Sequence, residues 1–370
     1  MFTHAIRKPR KIINFVRKLR AAHRLYGKPY GDLLRRFLQL CSEPESYSPR
    51  EVFLWDLLGP QFADDELDQA MSKTAMIRLQ RRLNPPDAAA LTEDKSIFYG
   101  HCEANGLAAP RLLAVIGPQL GWTADGSVLR GDSAWADFFE SLSAPDIVIK
   151  PAMGVYARGV HLLRRQGAQW VEVQGRAFTP AALVAELRRD SGYDRFVVQE
   201  RAFCDPRLVA LSGTDFLQTI RVITVMAEGQ GPEIIFAFLK VINGAATTDN
   251  FSYGAAGNLL APIDLQTGRL KVVKAARPGG VGLQSVACHP VTGTAFADFE
   301  VPHWAEACAL TRRAATSFLP LVTIGWDVAL TPEGPLLIEG NAWWDPILTI
   351  DKRMRVFRDY AQRHLEPEAP

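Results

Sequence analysis

Nowhere in this sequence does an apolar run reach the ~18 residues that a membrane-spanning helix needs. The stretches from Glu233 to Val241 and from Leu319 to Leu330 are interrupted by Lys240 and Asp327, which predicts a soluble protein. There is no CxxC pair either. The five cysteines, at 41, 102, 204, 288 and 308, are odd in number and far apart; this excludes a disulfide framework or a zinc ribbon and fits a reducing, cytoplasmic setting. The basic N-terminus is not followed by an uninterrupted apolar segment with a small-residue cleavage site, so no export signal is expected. Neither sign of charge dominates, because 42 Lys and Arg face 40 Asp and Glu. That balance excludes a broadly polybasic nucleic-acid binder and an acidic, disordered chain. Internal repeats and low-complexity tracts are missing as well.

What is present suffices for more than one core: 370 residues, 48% of them apolar, a length that suggests two or three domains. The charge is unevenly placed. Residues 1–36 carry eleven Lys and Arg against Asp32 alone, or +10, leaving 31 basic against 39 acidic residues elsewhere, or −8. Ile12, Phe15, Val16 and Leu19 recur at helical spacing among Arg7, Lys8, Arg10, Lys11, Arg17, Lys18 and Arg20, which predicts a basic amphipathic helix. It reads as a solvated helix docked on the acidic remainder, with peripheral contact to an anionic membrane surface or to a protein as its other role. No nucleic-acid partner is expected.

Residues 1–90 read as helices. Ser48-Pro49-Arg50-Glu51 supplies a cap, a first-turn proline and a capping-box acid ahead of the apolar run Val52 to Leu58, and a second helix over about 64–83 stops at Asn84-Pro85-Pro86. From Thr92 the texture changes: a helix through Phe98 and Tyr99, then Leu112 to Ile116, a loop, a helix from Ser133 to Leu142 and Ile147 to Lys150. This alternation predicts an α/β unit. Residues 147–202 read as a compact α+β subdomain. Beyond them lie the β-branched strands Thr219 to Val225 and Glu233 to Val241, a glycine-rich stretch over 243–282, a helix near 303–318 and a hairpin at 323–340.

Two segments carry chemistry. In Gly325-Trp326-Asp327 through Glu339-Gly340-Asn341, a five-residue loop from Thr331 to Pro335 would pair Leu330 with Leu336 and set Asp327 opposite Glu339. Alternation then puts Asn341 on the same face. Opposed like charges are destabilising unless a cation lies between them, and hard oxygen donors without His or Cys suit Mg²⁺ or Mn²⁺ beside substrate phosphates. An ordinary hairpin with a wet polar face is the plain alternative. In the second segment, the strand Ile147 to Lys150 delivers a lysine into a loop opening at Gly154 and closing at Gly159, which can lay N–H groups and a cation against phosphates; a simple glycine-containing hairpin is its alternative. Lys95, early in a helix, and Arg221, a charge inside an apolar strand, are further phosphate candidates.

Read in order, these pieces resemble the ATP-grasp superfamily. Glu93-Asp94-Lys95 with Gly106 to Pro110 is similar to that fold's "DK, helix, GxPxP" entry. Val148 to Pro151 resembles its second lysine strand, Val197 to Glu200 its hinge, and Asp327, Glu339 and Asn341 its metal set. Leu211-Ser212, Thr219-Ile220-Arg221, Asp249-Asn250-Phe251, His289-Pro290 and Thr292-Gly293 resemble the sugar-transfer-associated branch, which is related to α-L-glutamate-ligase-like proteins. The resemblance covers about 92–345. It implies an α+β fold of two subdomains gripping ATP: a helical region over 1–90, the start of the core over 91–146, a lid over 147–202 and the rest of the core, with the metal site, over 203–370.

The resemblance also implies an ADP-forming ligase that joins a small-molecule carboxylate to an amine or thiol through an acyl-phosphate. Its substrate would be linked to glycan or cell-surface polymer assembly. ATP would be held by Lys95, Lys150, Gly154, Arg158, Gly159, Gln199 and Glu200, with two Mg²⁺ (Mn²⁺ as the substitute) on Asp327, Glu339 and Asn341. Catalysis would fall to Arg221, Lys240 and Asn250, with His289 as base for the amine, and the loop over 154–159 would close as a lid. The covering loop departs from the family pattern at Tyr156-Ala157-Arg158, and Lys240 stands where an arginine is common. Two other readings stay open: a kinase of a sugar or polyol hydroxyl, and a non-catalytic nucleotide-binding module recruiting partners through its basic front end.

Overall fold

The structure, a computed structural model, describes residues 7–42, 46–60, 71–154, 158–227, 229, 231–345 and 357. The chain begins with helices α1 (Arg7–Tyr26), α2 (Tyr30–Cys41), α3 (Pro49–Leu54) and α4 (Lys73–Leu83). The expected capping box at α3 is made in full. Ser48 accepts from Glu51 N, and Glu51 accepts from Ser48 N at 2.8 Å. The other Glu51 oxygen takes Lys73 N at 2.7 Å, so one buried carboxylate ties the starts of α3 and α4 together. The helix is shorter than its apolar run suggests, because the chain turns at Asp56 with φ 58°. There Asp56 accepts from the Tyr26 hydroxyl and from Leu283 N, and the Gly282 facing it leaves no room for a Cβ. The second helix begins at Ser72, its N-cap; residues 64–70 of its expected span lie outside the described residues.

Helix α5 (Lys95–Ala104) leads into an eight-stranded sheet ordered β3-β2-β1-β8-β4-β5-β6-β7. Its strands are β1 (Leu112–Ile116), β2 (Leu120–Thr123), β3 (Val128–Arg130), β4 (Asp146–Pro151), β5 (His161–Gln166), β6 (Gln169–Glu172), β7 (Ala177–Phe178) and β8 (Phe196–Glu200). Helices α6 (Gly131–Ser141) and α7 (Pro180–Arg189) cover one face, burying Trp135, Phe139, Leu183 and Leu187 against Ile147, Ile149 and Val198. Each such fully buried side chain contributes about 1.5–3 kcal/mol. Lys150 and Gln199 alternate onto the opposite face, since Val148 pairs with Gln199 and Lys150 with Val197.

Every pairing in this sheet is antiparallel among the described residues, which corrects the expected α/β unit. The segment read as a loop after β1 is a hairpin. Asp125 accepts from Ser127 N, forming an Asx turn with Gly126 at φ 87° that folds β3 back on β2.

After α8 (Pro206–Ser212) comes a seven-stranded antiparallel sheet ordered β13-β12-β11-β10-β9-β14-β15. It comprises β9 (Thr219–Ala227), β10 (Gly231–Val241), β11 (Leu259–Pro262), β12 (Val273–Ala276), β13 (Leu283–Val286), β14 (Thr323–Thr331) and β15 (Gly334–Asn341). Helix α9 (Trp304–Ser317) packs Ala307, Leu310 and Ala314 on the face that carries Ile220, Val222, Leu239, Trp326 and Val328. The other face is shared. One end of it, with Ile223, Val225, Phe236 and Phe238, is covered by Phe53, Leu54 and Leu57 of the helical region, and the end carrying Arg221 and Asp327 is not. Asn84 pins the helical region to the hairpin, donating to Thr323 O and Ala342 O and accepting from Val322 N and Thr323 N. No described helix is long and apolar enough to cross a membrane.

Candidate functional site

The β14–β15 hairpin sets Asp327 directly opposite Glu339, by a route different from the one expected. The turn has two central residues rather than five, Thr331 pairing with Gly334 and Leu330 with Pro335. A bulge at Ile338 then restores the register, since Val328 faces Leu337 and Asp327 faces Glu339. The bulge is held from outside. β15 is an edge strand, and its exposed backbone is capped by Leu337 N donating to Ala108 O and by Tyr99 Oη donating to Ile338 O.

On its other side β14 pairs with β9 so that Asp327 faces Arg221. The guanidinium donates through Nε and Nη2 to both carboxylate oxygens, at 2.6 and 3.0 Å, the bidentate geometry that an apolar strand can orient well. Lys240 Nζ lies 3.1 Å from Asp327 and 3.5 Å from Asp249. Asp249 in turn accepts from Thr219 N and Oγ1 at 2.9 and 2.6 Å. Burial raises the Asp327 pKa, but Arg221 and Lys240 outweigh it and bring the carboxyl down to about 2. Burial likewise opposes the Arg221 charge, and Asp327 more than offsets it, so that pKa is raised.

Opposite this cluster stands a second set of cations. Asp94 caps α5 through Ser96 N and pairs with Arg195 at 2.9 Å, while Lys95 N donates to Ala152 O. So anchored, Lys95 reaches Gly154 O at 3.2 Å and Glu339 at 3.4 Å. Lys150 Nζ donates to Tyr99 Oη at 2.6 Å and lies 4.8 Å from that ring. Burial, and then Lys95, lower the Lys150 pKa to about 7. Burial and the Glu339 charge raise that of Tyr99 well above its usual value.

Of the remaining expected residues, Gly154 and Gly159 flank Pro151 and Tyr193, with Gly159 at φ 69°. Arg158 is exposed, and Tyr156 and Ala157 of the covering loop lie outside the described residues. Gln199 donates to Pro110 O and Glu200 pairs with Arg111 at 3.0 Å, so both side chains hold the 108–111 segment against β8. A cavity of about 610 Å³ lies beside Glu200 at the end of β8, lined by Arg111, Phe203 and Leu310; Lys95, Lys150, Arg221 and Asp327 do not line it. Asn250 follows Asp249 and contributes its carbonyl to Asn258.

His289 is a correction. It is 1% exposed, Nε2 donates to Ile242 O at 2.9 Å, and Nδ1 receives Val291 N and Thr292 N at 3.3 Å. With both ring nitrogens facing backbone groups it braces a turn in this structure rather than presenting a free nitrogen. Sequence reasoning gave Tyr99 no role and named Thr219 and Asp249 only as parts of motifs resembling the family branch. Tyr99 was detectable, being four residues after Lys95 on one helix face.

The opposed carboxylates have side-chain cations beside them, Arg221 and Lys240 on Asp327 and Lys95 on Glu339, which offset the repulsion expected between like charges. No group of three or more His, Cys, Asp or Glu gathers to hold a metal among the described residues. The donor set nevertheless fits a hard cation. Among the described residues Glu339 uses one oxygen on Lys95 and keeps the other, Asn341 spends its amide N–H on Gly325 O and keeps its oxygen, and both Asp327 oxygens already accept from Arg221 or Lys240. Mg²⁺ commonly takes one or two carboxylates and completes its shell with water and phosphate.

The chain matches the family model described as sugar-transfer associated ATP-grasp over residues 74–352, more than half its length. It belongs to the sugar-transfer associated ATP-grasp family. No curated protein matches this ATP-grasp chain. Among solved structures it is similar to D-alanyl-alanine synthetase A from Vibrio cholerae O1 biovar eltor str. N16961, with 13% identity, a TM-score of 0.44, and coverage of 76% of this chain and 67% of that one. It is also similar to biotin carboxylase from Campylobacter jejuni, with 10% identity, a TM-score of 0.44 and coverage of 76% and 48%. The ADP complex of an N5-carboxyaminoimidazole ribonucleotide synthetase matches with 11% identity, a TM-score of 0.40 and coverage of 74% and 52%. This ATP-grasp chain spans about half the length of the last two.

Proposed function

We propose that this protein is an ADP-forming ligase that joins a small-molecule carboxylate to an amine, or to a thiol, by way of an acyl-phosphate. Support comes from one observation above all: Lys95 and Lys150 on one side and Arg221 and Lys240 on the other converge on the Asp327–Glu339 pair, four basic side chains against three acids once Asp249, the second partner of Lys240, is counted. Such a surplus suits a polyphosphate. Phosphoryl transfer needs positioning and charge neutralisation more than covalent help from the protein. Lys95 and Lys150 would hold the α- and β-phosphates. Arg221, kept planar and oriented by Asp327, would meet the transferring group. The substrate carboxylate attacks the γ-phosphorus and ADP leaves with the bridging oxygen; the amine then attacks the acyl carbon, phosphate departs and the amine loses a proton. Asp327, Glu339 and Asn341 would hold Mg²⁺ or Mn²⁺, which when bound offsets charge on the phosphate oxygens. A building block of a glycan or cell-surface polymer is the substrate class we favour, on the family description alone.

The test is a metabolite extract incubated with ATP and protein and followed by mass spectrometry, with Glu339→Gln as control. Equimolar ADP and phosphate together with a condensed product is the expected result. A stable phosphorylated product without free phosphate makes the protein a kinase, and tight ATP binding without turnover makes it a binding module.

Lys150 supplies an independent check. With its pKa near 7 the free amine is mostly neutral at pH 8, and a triphosphate beside it restores the charge. ATP binding at pH 8 should therefore be accompanied by net proton uptake, on the order of one proton or less. Calorimetry in buffers of different ionisation enthalpy measures this. Equal heats in all buffers would remove Lys150 from the phosphate site.

A further inference from the structure

Helices α1 and α2 dock through one seam and leave another face bare. In the seam Phe15 lies 4.9 Å from Phe37 and 5.8 Å from Phe53 between ring centroids, and Ala22, Leu33, Phe37 and Leu40 are buried. The seam is thus Phe15, Leu19 and Ala22, and Ile12 and Val16, expected on the apolar face, stand outside it. Ile12 is 63% exposed, Ile13 67% and Leu38 60%, with Val16 and Leu34 also open to solvent. Ile13, Arg17, Arg20 and Arg24 follow the spacing i, i+4, i+7, i+11 and form one outward stripe. Leu34 and Leu38 lie one turn apart on α2 beside the exposed Arg35.

Among the described residues, Arg35 of this face has an acidic partner, Asp32 at 3.8 Å. The seam is mostly apolar, its described polar contacts being Tyr26 on Asp56 and Lys28 on the carbonyls of Leu58 and Gly59, and none of these engages the outward arginines. Arg17 bonds Asn14, and Arg17, Arg20 and Arg24 make no ion pair among the described residues.

We propose that the outer face of α1 and α2 docks on an anionic lipid bilayer. Ile12, Ile13, Val16, Leu34 and Leu38 would enter the boundary between headgroups and acyl chains, while the arginines meet lipid phosphates. Charge complementarity selects this occupant. A second copy would set one strongly basic face against another, which is repulsive, and a nucleic acid would engage the arginines and leave five aliphatic side chains in water. The cluster that seats α1 and α2 reaches Ile223, two residues along β9 from Arg221, so docking would hold the cationic site one helical layer from the membrane.

The test is co-sedimentation of the full chain with phosphatidylcholine vesicles with and without phosphatidylglycerol. Phosphatidylglycerol should strengthen binding by about tenfold or more, and added salt should reverse the gain. Ile13→Ser with Leu38→Ser, and separately Arg17→Ser with Arg20→Ser and Arg24→Ser, should each weaken binding by about tenfold. All five positions are exposed, so an unchanged melting temperature serves as the folding control. Ile13→Trp should show blue-shifted emission with anionic vesicles. Equal binding to both vesicle types, binding unaffected by either set of changes, no blue shift, or a soluble dimer that Ile13→Ser with Leu38→Ser dissociates would each overturn the proposal.

Discussion

Glu339→Gln is expected to lower ATP turnover by about a thousandfold while shifting the melting temperature by less than about 2 °C, whereas Asp327→Asn should lose activity and stability together. The two acids face each other across one hairpin, but their surroundings differ. Glu339 is about a third exposed at its side chain and pairs, among the described residues, with Lys95 at 3.4 Å. Glutamine keeps an oxygen for Lys95 and loses only the charge. Asp327 is buried and receives two N–H groups of Arg221 and the ammonium of Lys240. Asparagine turns an N–H₂ toward those cations and leaves Arg221 without a counter-charge, and breaking a buried pair in this way costs about 3–5 kcal/mol. The sign with pH follows from the depressed Asp327 pKa. The unfolded carboxyl titrates near its ordinary value and the folded one at about 2, so the advantage of wild type over Asp327→Asn is complete above about pH 4 and shrinks as pH falls toward 2. Urea titrations of both variants beside an ADP-release assay decide the matter. Equal stability losses would show that the two acids share one role.

Strand alternation alone put Asp327 and Glu339 on one face, and the structure agrees although the turn was misjudged. A two-residue turn shifts the pairing by one residue, and the bulge at Ile338 shifts it back. The bulge could not be read locally, because what stabilises it is a hydroxyl 239 positions away, on Tyr99. Arg221 stood out as a charge inside an apolar strand, yet its partner follows only from the β9–β14 register, which spans 106 positions. His289 failed for a related reason. Its neighbours Pro290 and Gly293 resembled a family motif, but the commitment of its ring to Ile242 depends on how distant strands meet. Some local devices were legible, the Ser48 capping box and the stop at Asn84 among them.

Lys150→Met should abolish ATP binding and at the same time make the protein more stable. Lys150 is an ammonium on the buried face of β4, with its pKa drawn down to about 7 mainly by burial. Between about pH 7 and its unfolded pKa the unfolded chain binds more protons than the folded one, so the penalty is absent near pH 10.5 and complete below pH 7. Methionine fills a similar volume without charge, and the gain at pH 6 should be on the order of a few kcal/mol. Tyr99→Phe separates position from charge. It removes the acceptor of Lys150 Nζ and the donor to Ile338 O, costing about 1–3 kcal/mol for the carbonyl left unpaired. It should also raise KM for ATP by about tenfold as Lys150 and the bulge beside Glu339 lose their common anchor. A stabilised Lys150→Met that still binds ATP would mean that the buried cation serves the fold alone. A Tyr99→Phe that loses stability at unchanged KM would reduce the hydroxyl to an edge cap. The opposite pair of outcomes would identify a site that accepts an unfavourable charge in order to hold phosphate.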